Sequence, residues 1–218
     1  MASKKLAVVP IYWGSKWLPP TGVMRPLHPE QINWINMNTA MWTIMRSWYM
    51  LALADYGIEP GLVHPGCLLQ TTEDQPAPPP TFDPLACWFQ ITNVVEGGLV
   101  PKPDAWGDDF KVFYCLFLQP GSACSNPTTF GQNDKERVHA WVTANSDLPG
   151  AIETYAHEML EASSGVEMAD PCKKAANPTV IIDGLRLPTY LSKTLNTCWP
   201  TQEAVLAHRG FSKIDRFK

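Results

Sequence analysis

A histidine and two glutamates on one predicted helix are the residues best suited to chemistry in this chain. His157 and Glu161 are four positions apart, so on a helix their side chains lie one turn apart on the same face. A histidine nitrogen and a carboxylate placed in this way can bind one Zn²⁺ from one side. Glu158 would lie beside that ion, where its carboxylate could take a proton from a zinc-bound water. The spacing predicts metal ligands at 157 and 161 and a general base at 158.

The third ligand of such a site stays open at this point. Catalytic zinc has three protein ligands and an open position. Glu167 and Asp170 follow the helix closely, and His139 and His208 are remote alternatives. One histidine with two carboxylates would make an oxygen-rich zinc site. Ca²⁺ is conceivable, but it prefers more carboxylate or carbonyl oxygens than these residues offer.

The same residues have a plainer interpretation. Glu153, His157 and Glu161 follow one another at four-residue spacing, which is common on solvated helix faces where carboxylates favour an imidazolium. The pattern also lacks the second histidine of the zincin motif H-E-x-x-H. On spacing alone, a solvated face and a metal site are both possible.

Two apolar segments predict the first elements that would position this helix. Residues 6–13 are a continuous apolar run that ends at Gly14, which indicates a strand covered on both faces. Pro10 within it favours a sheet edge or a bulge, because proline cannot donate to the ladder. From about 29 to 56, apolar residues recur near the helical period, which predicts one long buried helix ended by Gly57.

The later elements have clearer boundaries. Asp83 and Pro84 form an N-cap and first position for a helix that runs to about 96. Residues 110–118 are the strongest strand pattern in the chain, and 180–182 are a short strand candidate. The helix that carries the chemistry covers 147–164, with Asp147 as N-cap and Gly165 just beyond its end. This order of elements indicates a single α/β (α+β) domain over residues 1–218.

Composition and charge exclude several classes of protein. Nine tryptophans and 45% hydrophobic residues exclude full disorder. With 17 basic and 21 acidic residues the net charge is −4, so a basic nucleic-acid footprint is absent over the whole chain. The basic residues near the C-terminus (209, 213, 216 and 218) are interpreted as a solvated helix end. No apolar run reaches the ~18 residues of a membrane span.

None of the six cysteines forms a C-x-x-C pair, which argues against a zinc ribbon or a thioredoxin-type site. Disulfides and reduced buried thiols are both compatible with this pattern, and the pairing stays open.

The N-terminal Lys4 and Lys5 precede an apolar run, but there is no small-x-small cleavage site. We therefore expect no signal peptide in this chain.

Two motifs resemble a known family. The segment 156–162 (AHEMLEA), followed by 166–172 (VEMADPC), resembles the plant EXORDIUM (phosphate-induced) proteins and their bacterial and fungal relatives. Residues 12–17, 51–57 and 95–104 resemble other segments of that family in the same order. The resemblance implies a zincin-like fold and secretion. The chain departs from the family at Ser163-Ser164-Gly165, which replaces a Thr-(Asp/Asn)-Pro segment and a longer insert.

Together these observations predict a single zincin-like domain with a mixed sheet, a long buried helix and a site helix near 147–164. The expected function is a metal-dependent, peptidase-like hydrolase that uses zinc. His157 and Glu161 would be ligands, with Asp170 or Glu167 as the third, and Glu158 would be the general base. The partner would be a peptide or glycan substrate or ligand. The compartment would be extracellular if the family resemblance holds and cytoplasmic otherwise.

A different class of function remains as an alternative. The chain could be a non-catalytic glycan- or protein-binding module on a zincin-derived scaffold. Such a module would recognise its ligand through exposed aromatic residues. Trp13, Trp106 and Trp199 stand near proline or glycine and are the candidates.

Overall fold

The computed structural model describes residues 3–19, 31–69, 78–126, 128–143, 147–201 and 203–204. It has mixed α/β content, as predicted, with a sheet of parallel and antiparallel strands. No helix in the described part of the chain is both long and apolar enough to cross a membrane.

The main sheet contains six strands in the order β2-β1-β5-β8-β7, and β3 also pairs with β1. Its strands are β1 (Lys4–Trp13), β2 (Ile58–Val63), β3 (Cys67–Leu69), β5 (Phe110–Leu118), β7 (Gly131–Asp134) and β8 (His139–Thr143). β4 (Thr81–Phe82) pairs with β6 (Ala123–Cys124), and two hairpins join β9 (Thr179–Ile182) to β10 (Leu185–Pro188) and β11 (Tyr190–Ser192) to β12 (Thr197–Trp199). β7 is antiparallel to β8 and forms one edge of the main sheet, whereas the other pairings of that sheet are parallel.

Helices cover both faces of this sheet. α1 (Trp34–Arg46) and α3 (Leu148–Ser164) pack on one face, and α2 (Pro84–Glu96) packs on the other. The two faces of β1 divide accordingly: Leu6 and Val8 join the first core, and Ala7 and Val9 join the second. This is why the strands of 6–13 and 110–118 are apolar on both faces rather than alternating.

Of the two expectations for Pro10, a sheet edge or a bulge, the sheet edge is wrong. β1 lies inside the sheet, between β5 on one side and β2 and β3 on the other. The His64 amide donates to the Val8 carbonyl. In a parallel strand, the backbone groups of alternate residues face the same neighbouring strand, so those of Pro10 also face the side of β2 and β3. Pro10 therefore lies opposite the break between β2 and β3, where no ladder donor is required, and Gly66 packs against its carbonyl.

The predicted long helix over 29–56, of which residues 29 and 30 lie outside the described residues, is also wrong as a single element. It is divided into α1 and a 3₁₀ helix, Trp48–Tyr56. Ser47 between them is extended (φ −82°, ψ 158°), and its hydroxyl donates to the Ile44 carbonyl. Apolar residues continue at near-helical spacing across this break, so the pattern does not reveal it. Gly57 ends the second piece in the left-handed conformation, as predicted.

The other predicted boundaries are confirmed. α2 begins after Asp83, whose side chain accepts a hydrogen bond from the Leu85 amide. α3 begins after Asp147, which caps the Gly150 amide, and ends before the left-handed Gly165. β5 has the predicted bounds and β9 includes the predicted residues.

Candidate metal centre

α3 presents two different sides to its surroundings. Ile152, Tyr155, Ala156 and Met159 are buried against the sheet and anchor the helix in the core. The side that carries 157, 158 and 161 faces β7 and the segment 165–173, with which it shares a polar cleft. The helix is therefore fixed on its apolar side while its polar side chains meet other elements.

The structure brings together three of the residues predicted from sequence. The Nε2 atom of His157 lies 3.5 Å from Oε1 of Glu161 and 3.4 Å from Oδ1 of Asp170. One ligand atom from each of the three residues lies within 4.8 Å of the others. Ligands about 2.0–2.1 Å from a tetrahedral zinc ion would be about 3.3 Å apart. The two nitrogen–oxygen distances exceed the usual N–H···O range of about 2.7–3.2 Å. Two of the three separations are therefore close to those of ligands around one ion, and the third is at most 4.8 Å.

The three side chains differ in exposure. The side chain of Glu161 is 2% exposed, that of His157 is 16% exposed and that of Asp170 is 46% exposed. A solvated helix face therefore does not describe Glu161. The triad opens to solvent on the Asp170 side, which leaves a route for an ion and for a fourth ligand.

Burial sets the protonation of the two α3 ligands. It lowers the pKa of His157 to about 4, and the nearby Lys173 ammonium acts in the same direction. The imidazole is therefore neutral at pH 7 and can offer a lone pair. Burial and the neighbouring carboxylates raise the pKa of Glu161 to about 8. A cation bound between these groups would favour the ionised carboxylate and release its proton.

Glu158 lies next to the triad and is also buried. Burial raises its pKa to about 7, against the opposing effect of a hydrogen bond from Asn133. The Nδ2 atom of Asn133 donates to Oε2 of Glu158 at 2.7 Å and reaches Oε2 of Glu161 at 3.4 Å. A carboxyl group with a pKa near neutrality can both accept and return a proton at physiological pH.

Asn133 belongs to the site but was not predicted from sequence. It lies on β7, whose four residues, GQND, carry no strand pattern. β7 exists because it pairs with β8, from Gly131 opposite Val142 to Asp134 opposite His139. Only this pairing indicates that an asparagine 25 residues before Glu158 contacts its carboxylate.

The two candidates for the third ligand both lie at this site but have different neighbours. Asp170 is in the triad, whereas Glu167 forms an ion pair with Lys135 on the rim of the same cleft. Hydrogen bonds from Glu161 and Lys135 lower the pKa of Glu167. Lys173 is a second nearby cation, and its Nζ lies 2.5 Å from Oδ1 of Asp170.

The remote histidine His139 is not part of this group. His139 is on β8, where its ring packs against Tyr114 and burial lowers its pKa to about 4. Among the described residues, the group able to hold a metal consists of His157, Glu161 and Asp170. His208 lies outside the described residues.

The segment that carries Asp170 is held at several points. Met168 and Ala169 are buried in the core, and the Asp170 amide donates to Oε1 of Glu161 at 3.3 Å. Cys172 ends the short 3₁₀ helix Asp170–Cys172 and forms a disulfide with Cys198. The four other cysteines are free. The sequence left the pairing open, and the structure places its disulfide two residues from a candidate ligand.

Two clefts meet at His157 and Glu158. The larger cleft has a volume of about 670 Å³ and lies between α3, the 128–131 segment and the β9–β10 hairpin. The smaller cleft, about 400 Å³, lies between α3, β7 and the 167–173 segment. His157 and Glu158 line both of them.

The tryptophans suggested as a binding surface are not exposed. Trp13 is buried, and Trp106 and Trp199 are half-buried. Trp199 packs edge-on against Trp48, and its indole nitrogen donates to the Tyr49 carbonyl. All nine tryptophans lie within the described ranges, and none of them is exposed. The exposed aromatic residues expected for a binding module are therefore not found among these tryptophans.

No family model, no curated protein and no solved structure matches this chain. The resemblance to the EXORDIUM family stays a prediction that depends on the motifs quoted above.

Proposed function

We propose that this chain is a zinc-dependent, peptidase-like hydrolase centred on the polar side of α3. His157, Glu161 and Asp170 would hold the metal, and Glu158 would act as general base. The observation that carries the proposal is the spacing of the three ligand atoms, 3.4 and 3.5 Å from the His157 nitrogen to the two carboxylate oxygens, beside a second buried carboxyl group.

The donor set favours zinc over the hard cations. Ca²⁺ and Mg²⁺ take oxygen ligands, whereas zinc accepts imidazole nitrogen and carboxylate oxygen together. A neutral His157 can donate its lone pair at pH 7, because burial lowers its pKa to about 4. A zinc ion held there would polarise a carbonyl group and lower the pKa of a bound water.

The chain's own residues would supply the proton transfer. Glu158 would accept a proton from water as the water oxygen forms a bond to the carbonyl carbon of a peptide. The same carboxyl group would then return the proton to the leaving nitrogen as the C–N bond breaks. In the metal-free protein, burial raises the pKa of this carboxyl group to about 7, towards the working pH at which a proton shuttle is most efficient. Asn133 would orient the carboxylate through its 2.7 Å hydrogen bond.

The test of this proposal is the pair of variants Glu158→Gln and Glu136→Gln. Glutamine at 158 can still accept the hydrogen bond from Asn133 but cannot take up a proton. We expect hydrolysis of a peptide library to fall by a factor of about 10²–10⁴ while zinc content is unchanged. Glu136 is exposed on the turn between β7 and β8, and its variant should behave as wild type.

Three outcomes would count against the proposal in different ways. Wild-type activity in Glu158→Gln would show that the mechanism is wrong. Loss of zinc in that variant would make Glu158 a ligand or a structural residue. Zinc retained by the wild type without hydrolysis of any peptide would favour the non-catalytic binding module.

A further inference from the structure

The proposed reactive centre lies at the junction of two clefts rather than at the closed end of one. The larger and smaller clefts share Gly131, His157, Glu158 and Lys173. A substrate bond placed at Glu158 therefore has room on both sides of it. A pocket that admitted only the end of a chain would be closed on one side.

The larger cleft is long enough for several substrate residues. Its α3 wall extends from Asp147 to Glu158, which is about 16 Å at roughly 1.5 Å per residue. An extended peptide covers that length with about five residues. The opposite wall is the β9–β10 hairpin, including Thr179, Arg186 and Thr189.

The smaller cleft continues beyond the reactive centre in the other direction. It is lined by β7 residues, among them Gln132 and Asn133, and by charged side chains from the 167–173 segment. Its volume of about 400 Å³ is more than half that of the larger cleft. Gln132 is exposed on the edge strand, so this end is open to solvent.

We infer that this centre acts on internal bonds of an extended polypeptide, with substrate residues bound in both clefts, and does not remove single residues from chain ends. The inference rests on the proposed function and specifies the class of its substrate. The larger cleft would hold the longer part of the bound chain, and the smaller cleft would hold the shorter part.

A binding experiment tests this inference without relying on turnover. The zinc-loaded Glu158→Gln protein is titrated with a fluorescent peptide of about twelve residues, acetylated and amidated at its ends. The peptide is then shortened from either end. We expect affinity to fall roughly fivefold or more for shortening at each end. A loss confined to one end would overturn the inference.

Two blocking variants assign the ends to the clefts. Thr179→Trp places an indole in the larger cleft and Gln132→Trp places one at the smaller cleft, each also in the Glu158→Gln background. Each blocking variant should remove the contribution that one end of the peptide makes to binding affinity. The contribution of the other end should be unchanged. Thr92→Trp, on the exposed side of α2 and far from both clefts, is the matched control.

Product analysis with the zinc-loaded wild type separates the two proposals. Mass spectrometry should show capped peptides cut at internal bonds, at rates similar to uncapped peptides. Release of single residues from uncapped peptides, with capped ones intact, would overturn this inference and leave the proposed function standing. If neither kind of peptide is cut although zinc is bound, the proposed function fails and this inference fails with it.

Discussion

The side chain of Asn133 on β7 donates a 2.7 Å hydrogen bond to the carboxyl group of Glu158 on α3. The same amide nitrogen lies 3.4 Å from a carboxyl oxygen of Glu161, so one residue contacts both the proposed base and a proposed ligand. Both carboxyl groups are buried, and a buried carboxyl group needs a hydrogen-bond partner. Asn133 is thus the link between the edge strand and the polar side of the site helix.

Removal of the side-chain amide of Asn133 should lower both the stability of the protein and its turnover. In Asn133→Ala, Glu158 loses its donor inside the protein, and we expect the free energy of unfolding to fall by about 1–3 kcal/mol. The kcat for peptide hydrolysis should fall roughly tenfold with little change in KM, because the base is no longer oriented. Urea unfolding and steady-state kinetics measure the two effects. Asn93→Ala, on the exposed side of α2, is the matched control, and equal effects in both variants would contradict the assigned role.

Lys173 should oppose metal binding. Its ammonium lies 2.5 Å from the Asp170 oxygen that belongs to the triad, and it lowers the pKa of His157. In Lys173→Gln this competing positive charge is absent, so zinc should bind several-fold more tightly. Isothermal titration with zinc measures the change. Lys174→Gln removes an equal charge from the next, exposed position and should leave the affinity unchanged. Weaker binding in Lys173→Gln would mean that the lysine supports the site.

The metal-free protein should lose stability between pH 6.5 and pH 8. The pKa of Glu158 is raised to about 7 and that of Glu161 to about 8, from an ordinary value of 4.5. The folded state therefore binds more protons than the unfolded state in this range, and stability falls as pH rises through the folded pKa values. Below 6.5, His157 and His139, with pKa values lowered to about 4, have the opposite effect and offset the glutamates.

Urea unfolding at pH 6.5 and at pH 8, with chelator present, measures this dependence. We expect a difference of about 2 kcal/mol, most of which should disappear in Glu161→Gln. Added zinc should reverse the trend, because metal binding requires the ionised carboxylate. A metal-free protein that is equally stable at both pH values would show that the carboxyl groups are solvated.

The sequence was sufficient where local chemistry determines the structure. Asp83 and Asp147 each cap a helix because their side chains accept a hydrogen bond from an amide within three residues. β5 is apolar except at Lys111, because both of its faces are covered by helices. The four-residue spacing of His157 and Glu161 placed them on one side of α3, which required no knowledge of the rest of the fold.

The sequence was insufficient where distant segments meet. Glu167 and Asp170 are equivalent as carboxylates after α3, and only the path of the 165–173 segment brings Asp170 to His157. Whether Glu161 faces solvent or protein depends on β7, a strand without a strand pattern. The pairing of Cys172 with Cys198 depends on the position of the C-terminal hairpin β11–β12.

The most direct test of the account is the metal content of the purified wild type and of His157→Ala, measured by mass spectrometry. The protein is purified without chelator, and zinc is then added back and the excess removed. The account predicts about one zinc per chain in the wild type, none in His157→Ala, and wild-type content in His64→Ala, which lies away from the triad. No bound metal in either wild type or His157→Ala would contradict the central claim, and the polar side of α3 would then be a buried carboxyl cluster without a metal.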